Sequence, residues 1–410
     1  MKALVFERNL PRFAASRVAS MFGSGRGARI GPLQLLDQEA PALPGDDWHY
    51  LRPLLSGICG SDLATLDGRS SRYFEDIVSF PFVPGHEVVG VLDHGGIDHG
   101  GNRLEPGSRA IIEPVLGCAT RHILPVCPQC SVGHTGLCSN VAFGELEPGL
   151  QTGFCTDTGG GWSTAELAAH SSQLHAVPDS FSDEDAVMVE PTACAVHAVL
   201  SAGIEGDDVV AVIGAGTLGL ATTAALNQIV RPTSPLTVIV GAKHGHQRHM
   251  AHRLGADAVV APDQLARTVR RRAGSLVVAG RLTNGADVVF DCVGSSQSLT
   301  EALAMVRPRG RVVLVGMPGR VDVDLAPLWH RELTLVGAYA YGEEESLRGD
   351  RTRTFTLAFD VVAKAQLGSL VSAAYPLERY EEAIAHAGSA GRRGAVKVVF
   401  DLRNRKGITR

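Results

Sequence analysis

Two residues 27 positions apart define the chemistry open to this chain: Cys59, in Gly57-Ile58-Cys59-Gly60-Ser61-Asp62, and His86, in Pro84-Gly85-His86-Glu87. A thiolate, an imidazole and a nearby carboxylate suit a zinc ion that keeps one position open for water or substrate, because closed structural sites take four Cys or His ligands. Two carboxylates can supply the third ligand. Glu87 follows His86 directly, and Glu190 lies in Met188-Val189-Glu190-Pro191-Thr192, where proline marks the first turn of a helix. Either can bind, or the two can alternate while water fills the remaining position. Cys194, one helical turn past Glu190, shares its face but reads as a small buried hydrophobe.

A second cluster is Cys118, Cys127, Cys130 and Cys138, four of the eight cysteines within 21 residues dense with Gly and Pro. Four thiolates would complete a closed tetrahedral zinc site and staple a loop that lacks its own core. Cys155 and Cys292 have no partner at metal spacing and read as structural. His94 and His99 sit in a turn-like Gly and Asp segment, and His197 among small apolar residues of a helix, so none reads as a ligand.

A third feature is Val209 to Ile213 running into Gly214-Ala215-Gly216-Thr217-Leu218-Gly219 and then into Leu220 to Ile229, a strand, a glycine-rich turn and a helix. Gly214 permits the tight turn, Gly216 lets backbone approach a pyrophosphate, and Gly219 lets helix and strand pack closely. NAD sites usually place Asp or Glu about 20 residues further on to accept the ribose hydroxyls. The corresponding stretch, Val240 to Arg248, contains no acid, whereas Lys243, His244 and Arg248 can neutralise a ribose 2'-phosphate. That composition favours NADP over NAD; the bland alternative makes them ordinary exposed residues of a helix start.

The elements that position these groups fall into two textures. The 410 residues exceed one ordinary core, and 45% apolar with 20% charged residues describes a soluble, core-rich chain. A net charge of -5 argues against a nucleic-acid partner, and Arg270-Arg271-Arg272 reads as the solvated end of a helix. No secretory signal opens the chain, so the cytoplasm is the expected location. Val209 to Val230 is weakly charged, but its Gly, Thr, Asn and Gln divide it into strand, turn and helix, so no membrane partner is expected.

Gly- and Pro-punctuated β runs, such as Val88 to Leu92 and Arg109 to Ile112, make the first 180 residues a β-rich domain. From about Asp183, the strands Asp208 to Ile213, Leu236 to Val240, Asp287 to Asp291 and Arg311 to Val315 alternate with helix-length segments. That rhythm predicts a parallel sheet covered on both faces. Beyond Tyr341 comes a charged surface segment, Gly342 to Arg353, then helices at Thr354 to Ala365 and Leu377 to Ala387 and a strand at Ala395 to Phe400. These break the rhythm and are assigned to the first domain. The expected division is 1–182 with 342–410, and 183–341.

Taken together, the Cys59 and His86 motifs, the cysteine cluster, Val189-Glu190-Pro191 and the Gly214 to Gly219 turn resemble the zinc-dependent medium-chain dehydrogenase/reductase family, which includes zinc alcohol, polyol, threonine and glucose dehydrogenases. The resemblance implies an α/β chain: a GroES-like β-rich catalytic domain, a Rossmann domain with a doubly wound parallel sheet, a cleft between them, and a homodimer or homotetramer. It implies Cys59 and His86 as catalytic-zinc ligands with Glu87 and Glu190 as ligand or exchangeable carboxylates, Ser61 as proton relay and Asp62 as the partner orienting His86. It places Val293, Val315 and Met317 near the nicotinamide. A zinc ion there acts as a Lewis acid on the oxygen of a small alcohol or carbonyl substrate, while hydride passes to or from the nicotinamide.

Two departures stand out. Leu124 occupies the position of the usual first structural cysteine, so Cys118 would have to reach in from the preceding segment. Ala64 stands where many relatives carry a proton-passing His, leaving water, Thr65 or the cofactor ribose as the exit. The competing readings are a double-bond reductase on the same fold, whose members typically lack the zinc ligands, and an inactive cofactor-binding protein.

Overall fold

Alternating apolar residues in the first part of the chain pair into a sheet of order Val371–Tyr375, Lys397–Asp401, Trp48–Gly57, Val88–Leu92, Ser108–Ile112, Leu174–Ala176, with Leu167–His170 also on Trp48–Gly57. Its pairings are antiparallel except between the first two strands. Inward-facing Leu51, Val88, Leu92, Ala110, Ile112, Leu167 and Leu174 form one core, and Leu4, Phe6, Ile58, Phe82, Trp162, Ile384 and Phe400 another. This computed structural model describes residues 1–278, 281–345 and 351–403.

The chain divides into two compact units, Met1–Glu190 with Gly368–Arg410, and Pro191–Leu367. The first boundary falls eight residues later than expected, because helix Asp183–Val187 is tied to the first unit. Asp183 accepts from Arg109 at 2.9 Å, and Asp185 accepts from the Gly368 N–H at 3.1 Å. The second moves from Tyr341 to Leu367. Helix Thr354–Ala365 buries Phe355, Ala358, Val361 and Val362 and packs on helix Thr217–Ala225 and its continuation, so its apolar face belongs to the second unit. The charged segment forms a hairpin of Glu343–Glu345 with Arg351–Arg353; residues 346–350 lie outside the described residues.

The second unit is a six-stranded parallel sheet of order Ala258–Val260, Leu236–Gly241, Asp208–Ile213, Ala286–Asp291, Val306–Leu314, Thr334–Gly337. Numbered within the sheet this is 3-2-1-4-5-6, whose strand order reverses between Asp208–Ile213 and Ala286–Asp291, the place where doubly wound sheets bind dinucleotides. Val209 to Val230 resolves into the expected strand, turn and helix, and no helix among the described residues is long and apolar enough to cross a membrane.

One supporting element escaped the sequence reading. Helix Leu10–Ser20 begins at an Asn9 cap, whose Oδ1 accepts from the Arg12 N–H at 3.1 Å. Ser16 donates to the Leu66 carbonyl, while Ser24 and the Gly25 N–H donate to the buried Asp67 carboxylate. These bonds brace the C-terminal end of helix Gly60–Leu66, which carries Ser61 and Asp62.

Candidate active site and metal centres

Cys59 is the N-cap of helix Gly60–Leu66. Its N–H donates to Asp62 Oδ2 at 2.9 Å, and the other carboxylate oxygen of Asp62 stands 3.5 Å from His86 Nδ1. One buried carboxylate thus orients both the thiol-bearing backbone and the imidazole, leaving Nε2 of His86 as the nitrogen that can face an ion. Burial opposes charge on His86, but Asp62 and the Cys59 sulfur hold its pKa well above the usual histidine range.

Of the two candidate carboxylates, Glu87 joins this cluster: ligand atoms of Cys59, His86 and Glu87 all lie within 4.8 Å of one another. Glu190 is buried at the start of helix Val189–Leu200 and falls outside that group. Cys194 is likewise outside it. Ser61 sits half-buried on the first turn after Cys59, and Thr65 is engaged with the Ser70 hydroxyl at 3.0 Å.

Lys397 was not read from the sequence. It is 2% exposed, pairs with Glu87, and has Nζ 3.4 Å from the Ile58 carbonyl. Burial works against its charge, yet Glu87 first, then Cys59 and Glu190, raise its pKa above the usual lysine value. Pairing of strand Lys397–Asp401 with strand Trp48–Gly57, Val399 opposite Gly57, delivers it there across 310 residues from Glu87. A Cβ on Gly57 would stand 1.8 Å from Glu87 Oε2 and 2.8 Å from Lys397 Cε, so the ion pair requires glycine at that position.

The second cluster assembles with Cys118 in it. Cys118 Sγ is 3.6 Å and Cys127 Sγ 4.0 Å from Cys138 Sγ, and Cys130 completes a group within 4.8 Å. A disulfide needs about 2.05 Å, whereas tetrahedral zinc with Zn–S of about 2.3 Å puts sulfurs about 3.8 Å apart. Backbone N–H groups of Cys127, Cys130, Ser139 and Asn140 donate to these sulfurs at 3.3 to 3.5 Å. Contact with Cys130 first, then the Asn140 N–H and the other thiols, draws the Cys138 thiol down to about 5 despite burial, while the same contact pushes the Cys130 thiol up, so Cys138 is the first of the four to become a thiolate.

Arg121, wholly buried, organises this lobe by donating to the carbonyls of Leu116, Phe143, Leu146, Glu147 and Gly149. Arg121→Met should therefore destabilise the protein by about 4 kcal/mol, the upper range for one substitution, because buried carbonyls lose their donor. Thermal unfolding checks this; a loss below about 1 kcal/mol would show the lobe to be held by the cysteines alone.

In the second unit, Gly214 has φ +93, a Cβ on Gly219 would meet the Gly214 carbonyl oxygen at 1.9 Å, and nothing lies within 4 Å of a Cβ on Gly216. The turn is thus tight where helix and strand meet and open at Gly216, which caps the helix starting at Thr217 and Leu218. The neighbouring loops carry half-exposed Val293, buried Val315 and half-buried Met317; Asp291 Oδ1 accepts from the Val293 and Gly294 N–H groups and shapes the first of them. Lys243 is exposed just past strand Leu236–Gly241, His244 caps helix Gly245–Arg253, and Arg248 donates to the Ala242 and Lys243 carbonyls at 3.3 and 3.2 Å.

Residues 45–179 match the alcohol dehydrogenase GroES-like domain and residues 227–363 the zinc-binding dehydrogenase domain. The chain is 30% identical over 348 residues to a sorbitol dehydrogenase of Arabidopsis thaliana, covering 84% of this chain and 86% of that protein. It is 28% identical over 348 residues, with the same coverage, to an L-idonate 5-dehydrogenase of Vitis vinifera. Among solved structures it superposes on a zinc-binding dehydrogenase from Sinorhizobium meliloti 1021 bound to NADP, with TM-score 0.67 and 25% identity over 90% of this chain and 95% of that one. Galactitol-1-phosphate dehydrogenase of Escherichia coli shares the fold, with TM-score 0.68 and 20% identity over 98% and 100%. The chain belongs to the zinc-dependent medium-chain dehydrogenase/reductase family. It is an oxidoreductase of the zinc alcohol dehydrogenase type, interconverting an alcohol and its ketone or aldehyde with a nicotinamide dinucleotide.

Proposed function

We propose that this enzyme oxidises the secondary hydroxyl of a polyol or sugar-like alcohol, or reduces the matching ketone, with NADP(H) in preference to NAD(H), as a soluble homo-oligomer. The carrying observation is the Cys59, His86 and Glu87 cluster with Ser61 on the first turn of the helix that Cys59 caps. The relatives named above act on sorbitol, L-idonate and galactitol 1-phosphate, all polyhydroxylated.

The donor set of one thiol, one imidazole and one carboxylate fits a zinc ion with an open position, and the four cysteines fit a closed structural zinc. When bound at the first cluster, zinc supplies Lewis acidity toward the substrate oxygen. Asp62 holds the imidazole and the Cys59 backbone, Ser61 takes the hydroxyl proton, and Glu190 is the exchangeable carboxylate. Thr65, committed to Ser70, is a poor onward carrier, so water or the cofactor ribose takes the proton from Ser61.

Screening polyols and ketoses with both cofactors by nicotinamide absorbance tests the substrate class; activity confined to simple unsubstituted alcohols would overturn it. The NADP preference rests on the acid-free stretch after strand Leu236–Gly241 and on Lys243, His244 and Arg248. Charge-assisted contacts contribute about 1.5–3 kcal/mol each, so the Lys243→Ala/Arg248→Ala double variant should raise KM for NADP at least about tenfold and leave that for NAD unchanged. Stronger thermal stabilisation by NAD than by NADP at equal concentration would reverse the assignment.

A further inference from the structure

A third group of ligand-bearing side chains lies apart from both zinc clusters: one ligand atom each from Asp47, His122 and His170 sits within 4.8 Å of the others. We propose that this group is an additional metal site, binding a borderline divalent transition ion such as Zn2+, Ni2+ or Cu2+ through two imidazoles and a carboxylate. Asp47 comes from the loop before strand Trp48–Gly57, His122 from the turn after Cys118, and His170 from the end of strand Leu167–His170.

Asp47 Oδ1 is 3.0 Å from His122 Nε2 and Oδ2 is 2.9 Å from His170 Nε2, so one carboxylate spans both Nε2 atoms. Imidazole nitrogen with carboxylate oxygen suits these borderline ions, whereas all-oxygen sites suit Mg2+ or Ca2+. The far side of each ring is also furnished. His122 Nδ1 is 2.5 Å from Glu145 Oε2, and His170 Nδ1 is 2.8 Å from the Ser172 hydroxyl. A metal-bound imidazole directs its other N–H to such an acceptor, which fixes the ring and raises its basicity. The Ser172 N–H donates to His170 Nδ1 at 3.1 Å, which places the His170 proton on Nε2 against Asp47; ligation through Nε2 would move that proton to Nδ1, break the bond from the Ser172 N–H, and leave the Ser172 hydroxyl oxygen as the acceptor.

The backbone is shaped around the same ring. His122 holds φ +49, a left-handed conformation with a cost for a residue bearing Cβ, which persists where the surroundings enforce it. A Cβ on Gly45 would stand 2.8 Å from His122 Cε1, so glycine clears the space beside the imidazole. His170 is buried, whereas Asp47 and His122 reach solvent, so an ion can enter and keep water in its remaining positions. The site would clip the cysteine lobe to the sheet of the first unit.

The test is metal titration of the full-length protein with Zn2+ and with Co2+, followed by removal of loose ions and measurement of metal content. Wild type should retain one equivalent per chain more than Asp47→Ala or His122→Ala, and in the Co2+ form that equivalent should show no thiolate charge-transfer band, unlike ions held by cysteine. Both variants replace partly exposed side chains, and should lose at least tenfold in affinity for the extra ion while keeping dehydrogenase activity. Equal metal content in wild type and both variants, or a thiolate band on every bound Co2+, would overturn the site and leave the group as a hydrogen-bonded clasp.

Discussion

Cys59→Ser is expected to abolish alcohol oxidation while leaving dinucleotide binding intact. The Cys59 sulfur is the softest donor of the first cluster, where it stands with the His86 imidazole and the Glu87 carboxylate. Exchanging it for a hydroxyl leaves a ligand that stays protonated at neutral pH and binds zinc poorly. Loss of mere supporting partners around metal ligands costs about 10- to 100-fold in metal affinity or activity, so loss of a direct ligand should exceed a hundredfold. The Gly214 to Gly219 turn lies in the other unit and depends on none of these atoms. Turnover, zinc content and cofactor-induced thermal stabilisation should therefore separate: the first falls, the second drops by one equivalent, the third persists. Unchanged turnover would remove Cys59 from the reaction.

Lys397→Met should cost both stability and turnover. Lys397 and Glu87 are 2% and 1% exposed, so removing the ammonium leaves a buried carboxylate without its counter-charge. Breaking a buried pair from one side typically costs about 3–5 kcal/mol. The same loss removes the cation that sits against the Glu87 carboxylate beside Cys59, so the charge around the substrate oxygen changes; kcat should fall by about tenfold or more, or about 1.4 kcal/mol. Adding Glu87→Gln to Lys397→Met should recover part of the stability without restoring kcat. Full stability and kcat in the single variant would show the pair to be incidental.

Much of the site could be read from local sequence because its chemistry is local. Cys59, Ser61 and Asp62 occupy one cap and helical turn; His86 and Glu87 are adjacent; the glycine turn needs only a strand before it and a helix after it. Alternating β-branched runs likewise announced a parallel sheet, since strands buried on both faces must be apolar throughout. Boundaries were less legible. Helix Thr354–Ala365 breaks the βα rhythm, yet its apolar face packs in the second unit, and only contact with helix Thr217–Ala225 shows this.

By itself, then, the sequence determined which donors exist, which metal chemistry they suit and where a strand, glycine turn and helix follow one another, because those properties reside in residue type and short spacing. Tertiary structure alone decided that Glu87 rather than Glu190 stands with Cys59 and His86, that Cys118 lies with Cys127, Cys130 and Cys138, and that Asp47, His122 and His170 meet. It also decided that Lys397, arriving on a C-terminal strand paired with Trp48–Gly57, neutralises the carboxylate. The physical reason is common to all four: charge becomes consequential when burial removes water, and burial is set by which distant strands and turns pack together.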